Sequence, residues 1–295
     1  MDLCPAGLSD PLSCAKVIVV MSPSILETTA VATATPPLVV TEAQRRQLDT
    51  DGFFITGVLF DEPTLAGVRG EFQRFWDEEI AAASRAGDAN KLHWAKVRPL
   101  VSQLDHRSGI CRAFCHHAVF ADLCRQLIGP DADLAWNQAI VKAPMPDASP
   151  ASRNNVFGWH QDQYYAVNGP FAKEFNMEVL LDPLTEITTW VAISRTTVDN
   201  GTLWVLPGRH KEGLLPHVWS EERNEYQGQF DTSWRIPVVL RAGQVLVFRK
   251  YLPHSSGMNV SNEVRMAYQL SYSVTGMNRG PSKNFTPMIR QGELV

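Results

Sequence analysis

In the segment FGWHQDQYY, which spans positions 157–165, His160 and Asp162 stand two residues apart. Alternate side chains of an extended chain leave the same face, so an imidazole and a carboxylate at this spacing can reach one metal ion. A second imidazole is available in YLPHSSGMN, where His254 follows Pro253 and the β-type run QVLVF. Two histidines and one carboxylate on one face of an octahedral ion leave three positions open. That arrangement belongs to non-heme Fe(II) oxygenases, which need room for a bidentate 2-oxo acid and for O2. Taken alone, H-x-D is commoner as a surface histidine beside a solvated aspartate, and an isolated histidine more often makes a loop hydrogen bond. Arg265, eleven positions after His254, shifts that balance. A guanidinium is suited to grip a carboxylate through two parallel hydrogen bonds, and its own run, VRMAYQLSYS, holds no acidic side chain to claim it.

These residues need a scaffold, and the chain supplies it in two parts. The front is helical. Thr41 can cap a short helix that Gly52 ends, and FFITGVL follows as a β-rich run. Asp61 is an N-cap with Pro63 in the first turn, and Leu65, Val68, Phe72, Phe75 and Trp76 recur at helical spacing. A third helix, AVFADLCRQLIG, stops at Gly129-Pro130. Beyond it come short β-type runs between turn signals: LAWNQAIVKA, EITTWVAIS, TLWVLP, IPVVL, QVLVF and VRMAYQLSYSV. In the last of these Arg265, Ala267, Gln269 and Ser271 share one face, while Met266, Tyr268, Leu270 and Tyr272 share the other. The first face should line a polar cavity and the second should pack. Thr188, Trp190, Ala192 and Ser194 form a similarly mixed face. The expected fold is mainly β, a double-stranded β-helix (a cupin-like jelly roll) with flanking α-helices.

A length of 295 residues at 44% hydrophobic content allows one substantial core. Residues 1–40 are expected to form a disordered tail. Residues 41–295 are expected to form one catalytic domain, with a helical front over 41–130 and a β-helix core over 131–275. The tail contains AKVIVVM, which has the apolar character of a signal segment, but Asp2 and Asp10 precede it and no A-x-A site follows closely. Met21 is an alternative start. The net charge of −4 comes with scattered Lys and Arg, so neither nucleic acid nor a membrane is expected as a partner. No apolar run reaches 18 residues. Five sparse cysteines do not make a disulfide framework and fit a reducing, cytoplasmic setting. Cys111, Cys115, His116 and His117 cluster in sequence, but ICRAFCHH lacks the paired spacing of a zinc site.

The motifs W-H-Q-D, D-N-G-T-L-W-V-L-P-G-R-H, A-G-Q-V-L-V-F, P-H-S-S-G-x-N and R-x-x-x-Q-x-S-Y occur in that order from about Asn137 to Tyr272. Together they resemble the phytanoyl-CoA dioxygenase family. The resemblance implies Fe(II) with 2-oxoglutarate and O2 as co-substrates. It puts His160, Asp162 and His254 on the metal positions and Arg265 on the 2-oxoglutarate carboxylate. Ser256 resembles a hydroxyl that assists the arginine. Gln138 and Lys142, on one face of the strand ahead of H-x-D, resemble side chains that reach the co-substrate; the competing reading is an edge-strand pair facing solvent. Trp190 sits where relatives place a residue beside the co-substrate, and a plain core tryptophan is the competing reading. A carboxylate at Asp162 favours hydroxylation, because halogenating relatives have a small residue there.

Gln163, Tyr164 and Tyr165 follow the metal motif and are candidate substrate contacts. The long insertion 166–186 comes after them, and the stretch 217–234 offers aromatic and polar groups for a lid. The expected reaction is hydroxylation of an unactivated C–H bond of a small organic molecule, such as a natural-product intermediate, with release of succinate and CO2. Desaturation, epoxidation or rearrangement would use the same residues. A non-oxygenase metal- or sugar-binding jelly roll is the reading from a different class.

Overall fold

The structure is a computed structural model and describes residues 37–148, 155–169, 172–278 and 285–295. The expected tail therefore lies, up to residue 36, outside the described residues. Its last part belongs to the fold. Leu38 N donates to Asp122 Oδ2 at 2.7 Å and Val40 N donates to Gln126 Oε1 at 3.0 Å.

The helices begin where their caps dictate. Helix α1 (Glu42–Asp51) carries a capping box between Thr41 and Gln44 and ends at Gly52, whose φ of 88° is a left-handed conformation that suits glycine. Strand β1 (Phe53–Val58) follows, then α2 (Glu62–Arg85), capped by the Asp61 carboxylate on Thr64 N. Next come α3 (Ala89–Val97), β2 (Leu100–Ser102), α4 (Gly109–Cys115) and α5 (Ala118–Leu127). The β-rich part runs through β3 (Ala132–Lys142) and β4 (Phe157–His160), is interrupted by α6 (Asp162–Asn168) and α7 (Met177–Leu181), and resumes with β5 (Glu186–Ala192) and β6 (Leu203–Val205). It continues with β7 (His217–Ser220), β8 (Glu225–Gly228), β9 (Ile236–Val238), β10 (Gln244–Arg249), β11 (His254–Ser256) and β12 (Arg265–Val274). Strands β13 (Thr286–Arg290) and β14 (Glu293–Leu294) close the chain.

The strands form a large antiparallel sheet in the order β1-β10-β5-β12-β3-β13-β14, with β2 also on β3, and a smaller sheet in the order β4-β11-β6-β9. This is the expected mainly-β jelly roll with flanking helices. The division at residues 130 and 275 was too sharp. Strand β1 pairs with β10, β2 with β3, and β13 pairs Thr286 with Leu134, so both ends of the domain add strands to the large sheet.

The alternation in β12 works as the sequence implies. Met266, Tyr268, Leu270 and Tyr272 join Phe72, Phe114 and Phe120 in the core between the large sheet and the helices. The Phe72 ring meets Tyr268 edge-on at 5.1 Å and Phe114 stacks on it at 5.7 Å. Burying each such side chain contributes roughly 1.5–3 kcal/mol, which fixes the register of β12 and with it the opposite face. A second cluster, including Phe53, Trp190, Leu203 and Phe248, packs on the inner side. Cys111 and Cys115 are buried in the helix-side core, where burial pushes their thiols up. Among the described residues, no helix is long and apolar enough to cross a membrane.

Candidate active site

The metal-donor residues come from three successive local choices. Strand β4 carries His160 to its end, Gln161 stays extended at φ −118° and ψ 131°, and Asp162 opens α6. His254 begins β11, which pairs directly with β4, so that His254 faces His160 across the ladder. Ligand atoms of His160, Asp162 and His254 all lie within 4.8 Å of one another, the one such group of histidine, cysteine and acidic side chains among the described residues. His160 Nε2 and His254 Nε2 each stand 3.6 Å from Asp162 Oδ1. Donors about 2.1 Å from a shared ion and at right angles to one another are about 3 Å apart, so the cluster needs little adjustment to hold one.

Both imidazoles are oriented through their other nitrogen. His160 Nδ1 donates to Gly158 O at 2.8 Å and His254 Nδ1 donates to Leu252 O at 3.0 Å, which leaves each Nε2 free of a proton and turned to Asp162. Burial pushes both imidazoles down to about 4, and the neighbouring His254 adds to the effect on His160. They are therefore neutral at physiological pH, the form that ligates. Asp162 Oδ2 accepts a hydrogen bond from Gln269 Nε2 at 2.9 Å. Gln269 lies on the wet face of β12, yet nothing local to it points to Asp162.

Arg265 sits at the other end of that face and is fully buried. Its Nη2 donates to Gly201 O at 3.0 Å, but Nε and Nη1 have no hydrogen-bond partner among the described residues. No carboxylate among the described residues pairs with it, and burial pushes its guanidinium down to about 9. The Trp190 ring lies 5.3 Å from the guanidinium, and its own Nε1 also has no hydrogen-bond partner among the described residues. A buried cation with free donors is costly unless an anion meets it. A dicarboxylate such as 2-oxoglutarate fits that need. Arg265, His160, Asp162 and His254 all line one cavity of about 1050 Å³, together with Gln138, Trp190 and Ser256.

The remaining expected residues divide. Gln138 is on the cavity wall, where its Oε1 accepts from Trp136 Nε1 at 3.2 Å. Lys142 is not among the lining residues. It stands opposite Arg265 in the β12–β3 register, fully buried, and its ammonium donates to the carbonyls of Ser256 and Gly257. The solvent-facing reading of this pair is thus wrong, because β3 is covered on both edges by β12 and by β2 and β13. Gln163 borders the cavity, but its amide is committed to Leu180 O at 2.7 Å. Tyr164 points elsewhere. Its ring lies 4.1 Å from His217 and its hydroxyl donates to His217 O. The chain turns helical at Asp162, which spreads successive side chains about 100° apart, so Tyr164 turns away while Tyr165 returns to the cavity, edge-on to His160 at 5.7 Å.

The hairpin β7–β8, expected as a lid, is fastened to the metal segment. Its His217 Nε2 accepts from Gln161 N at 3.2 Å, and its Glu225 Oε1 accepts from Gly158 N at 3.0 Å. Glu225 also binds Arg98 and Arg223 at 2.8 Å each, and Arg98 lies 3.9 Å over the Phe157 ring. Arg98, Arg223, Glu225, Gln269 and Glu186 were all missed as site residues. Only Gln269 carried a legible signal, its place on the wet face.

Comparison with known proteins agrees with this geometry. The sequence profile of the phytanoyl-CoA dioxygenase family matches residues 48–267. A probable phytanoyl-CoA dioxygenase of Caenorhabditis elegans is 26% identical over 252 residues, covering 80% of this chain and 76% of its own. Among solved structures, the apo form of the non-heme monooxygenase ThoJ superimposes with a TM-score of 0.61 at 20% identity, covering 83% of each chain. The epimerase SnoN, in complex with Fe3+, alpha-ketoglutarate and nogalamycin RO, gives 0.59 at 20% identity, covering 84% of this chain and 95% of its own. The match over most of the folded chain, with a His-Asp-His cluster in its cavity, places this protein in the phytanoyl-CoA dioxygenase family of enzymes, Fe(II)- and 2-oxoglutarate-dependent dioxygenases that use O2.

Proposed function

We propose that this protein hydroxylates an unactivated C–H bond of a small organic molecule, with iron on His160, Asp162 and His254 and the distal carboxylate of 2-oxoglutarate on Arg265. The observation that carries the reading is the buried guanidinium of Arg265, with two donating nitrogens unpartnered, in the same cavity as the three-donor cluster. When bound, iron and 2-oxoglutarate supply O2-dependent oxidation of the substrate with release of succinate and CO2.

The chain's own contribution is positional. Carbonyls of Gly158 and Leu252 hold both imidazoles in the ligating tautomer, and Gln269 fixes the plane of the Asp162 carboxylate. Arg265 gives the co-substrate one orientation, with Ser256, Gln138 and Trp190 around it. Phe157, Leu203 and Phe248 give the cavity apolar wall, which favours exclusion of water from it. Tyr165, Leu180 and Phe175 line the same cavity and are available to contact the substrate. The cavity size suits a drug-sized molecule enclosed on most sides, in keeping with the natural-product compound named with SnoN.

The test is succinate formation from 2-oxoglutarate with added Fe(II), screened against a panel of small organic substrates with mass spectrometry of the products. A gain of one oxygen atom in a product supports hydroxylation. A loss of two hydrogens without added oxygen would point to desaturation, and no dependence on 2-oxoglutarate would overturn the reading.

A further inference from the structure

The large sheet carries a second charged side chain on the cavity wall, and the proposed chemistry leaves it without a task. Glu186 opens β5, lines the same cavity and is 9% exposed. Register locates it. Trp190 of β5 pairs with Gln269 of β12, the residue bonded to Asp162, and Glu186 pairs with Ser273. Along β12, Arg265 therefore lies four residues to one side of Gln269 and Ser273 four residues to the other, roughly 13 Å each way. Glu186 is at the end opposite the co-substrate arginine, where Leu180, Phe175 and Met277 complete the wall.

Inside the protein the Ser271 hydroxyl is the hydrogen-bonding group that acts on its carboxylate, which leaves most of its lone pairs unused. Among the described residues no Lys, Arg or His nitrogen approaches it within 4.0 Å. Lys250 is the cation whose charge acts on it, but the Lys250 ammonium is committed to Leu180 O and Thr185 Oγ1. Lys250 thus offsets the charge of Glu186 at a distance without occupying its lone pairs. Burial works against this and pushes Glu186 up to about 7. A buried carboxylate beside apolar walls is expensive unless hydrogen-bond donors reach it.

We propose that Glu186 is the specificity-determining residue of the substrate end of the cavity, accepting a hydrogen bond from an O–H or N–H group of the substrate. The substrate class is then a small molecule with a hydroxyl or amine held away from the C–H bond presented to the metal donors. A saturated hydrocarbon chain offers no such donor and would leave the carboxylate's remaining lone pairs unmet. Sites built around a buried polar partner discriminate strongly against analogues that lack the matching group.

The inference rests on the oxygenase reading of the cavity, and the experiment separates the two. The full chain, loaded with redox-inert Ni(II) and 2-oxoglutarate, is titrated by ligand-observed NMR with matched probes on one cyclohexyl scaffold: cyclohexylmethanol, cyclohexylmethylamine and cyclohexylmethyl methyl ether. The alcohol or the amine is expected to bind at least about ten-fold more tightly than the ether, whichever of the two is preferred. In Glu186→Leu that preference should shrink to about two-fold or less, while Glu186→Gln, which keeps an acceptor and the shape, should retain part of it. Equal binding of ether and donors by the unmodified chain, or no binding of any probe, overturns the proposal, and this arm needs no variant to fold. A preference that persists in a folded Glu186→Leu protein also overturns it. Binding of 2-oxoglutarate is followed in the same samples. If it binds and the donor preference is absent, only this inference falls; if it does not bind, the oxygenase reading falls.

Discussion

Replacing Arg265 by methionine separates a co-substrate clamp from a structural ion more sharply than any other change. The guanidinium is fully buried and, among the described residues, makes one hydrogen bond, to Gly201 O, and meets no carboxylate. Burial pushes it well below its usual value, down to about 9, which corresponds to a penalty on the order of 5 kcal/mol for the charged form. Methionine has similar reach and removes that penalty; it strands Gly201 O, which costs about 1–3 kcal/mol. The net expectation is a folded protein as stable as the original or somewhat more stable. Affinity for 2-oxoglutarate should behave oppositely. Cutting one partner of a buried, hydrogen-bonded charge pair costs about 2–5 kcal/mol, a loss of roughly thirty-fold to several thousand-fold. Urea denaturation without and with 2-oxoglutarate, plus calorimetric titration of the Ni(II)-loaded protein, measures both quantities. The co-substrate should stabilise the original protein and leave the variant unmoved. A variant that loses more than about 2 kcal/mol of stability yet binds 2-oxoglutarate normally would refute the reasoning, because it would make Arg265 a structural cation.

Three further outcomes are expected. His160→Ala, Asp162→Ala and His254→Ala should each abolish turnover and metal binding while circular dichroism stays unchanged, since no spare ligand lies near the cluster among the described residues; near-normal iron content in any one would remove that residue from the site. Gln269→Leu, which frees Asp162 Oδ2, should weaken Co(II) or Ni(II) binding by about ten-fold or more, read by titration of the metal, with 2-oxoglutarate affinity measured at saturating metal much less affected. Glu225→Gln should lower stability by about 3 kcal/mol or more, because it leaves Arg98 buried without its counter-charge; an unchanged denaturation midpoint would show that the hairpin is held to β4 by other contacts.

Much of this was legible in the linear chain because it depends on neighbours in sequence. Thr41 and Asp61 cap their helices by reaching backbone N–H groups within three residues, and such signals survive without knowledge of the fold. The alternation of Arg265, Gln269 and Ser271 with Met266, Tyr268 and Leu270 already assigns the two faces of β12, since a strand can bury one set only by exposing the other to the cavity. The two-residue spacing of His160 and Asp162 holds because the chain stays extended through Gln161.

What the sequence could not decide is which distant group each side chain meets. Gln269 reaches Asp162 across 107 positions and Arg98 reaches Glu225 across 127, contacts set by sheet closure and by the docking of the β7–β8 hairpin. Lys142 left the cavity because the register places it level with Arg265, where the carbonyls of Ser256 and Gly257 were within reach of its ammonium. Tyr164 was lost to the cavity by a change from strand to helix at a single residue. Local hydrogen bonds and periodicity fix which face a residue occupies; only the closed β-helix brings two faces together, and so only the tertiary structure leaves Arg265 with donors unpartnered among the described residues at one end of the cavity and puts the Glu186 carboxylate, without an ion-pair partner among those residues, at the other.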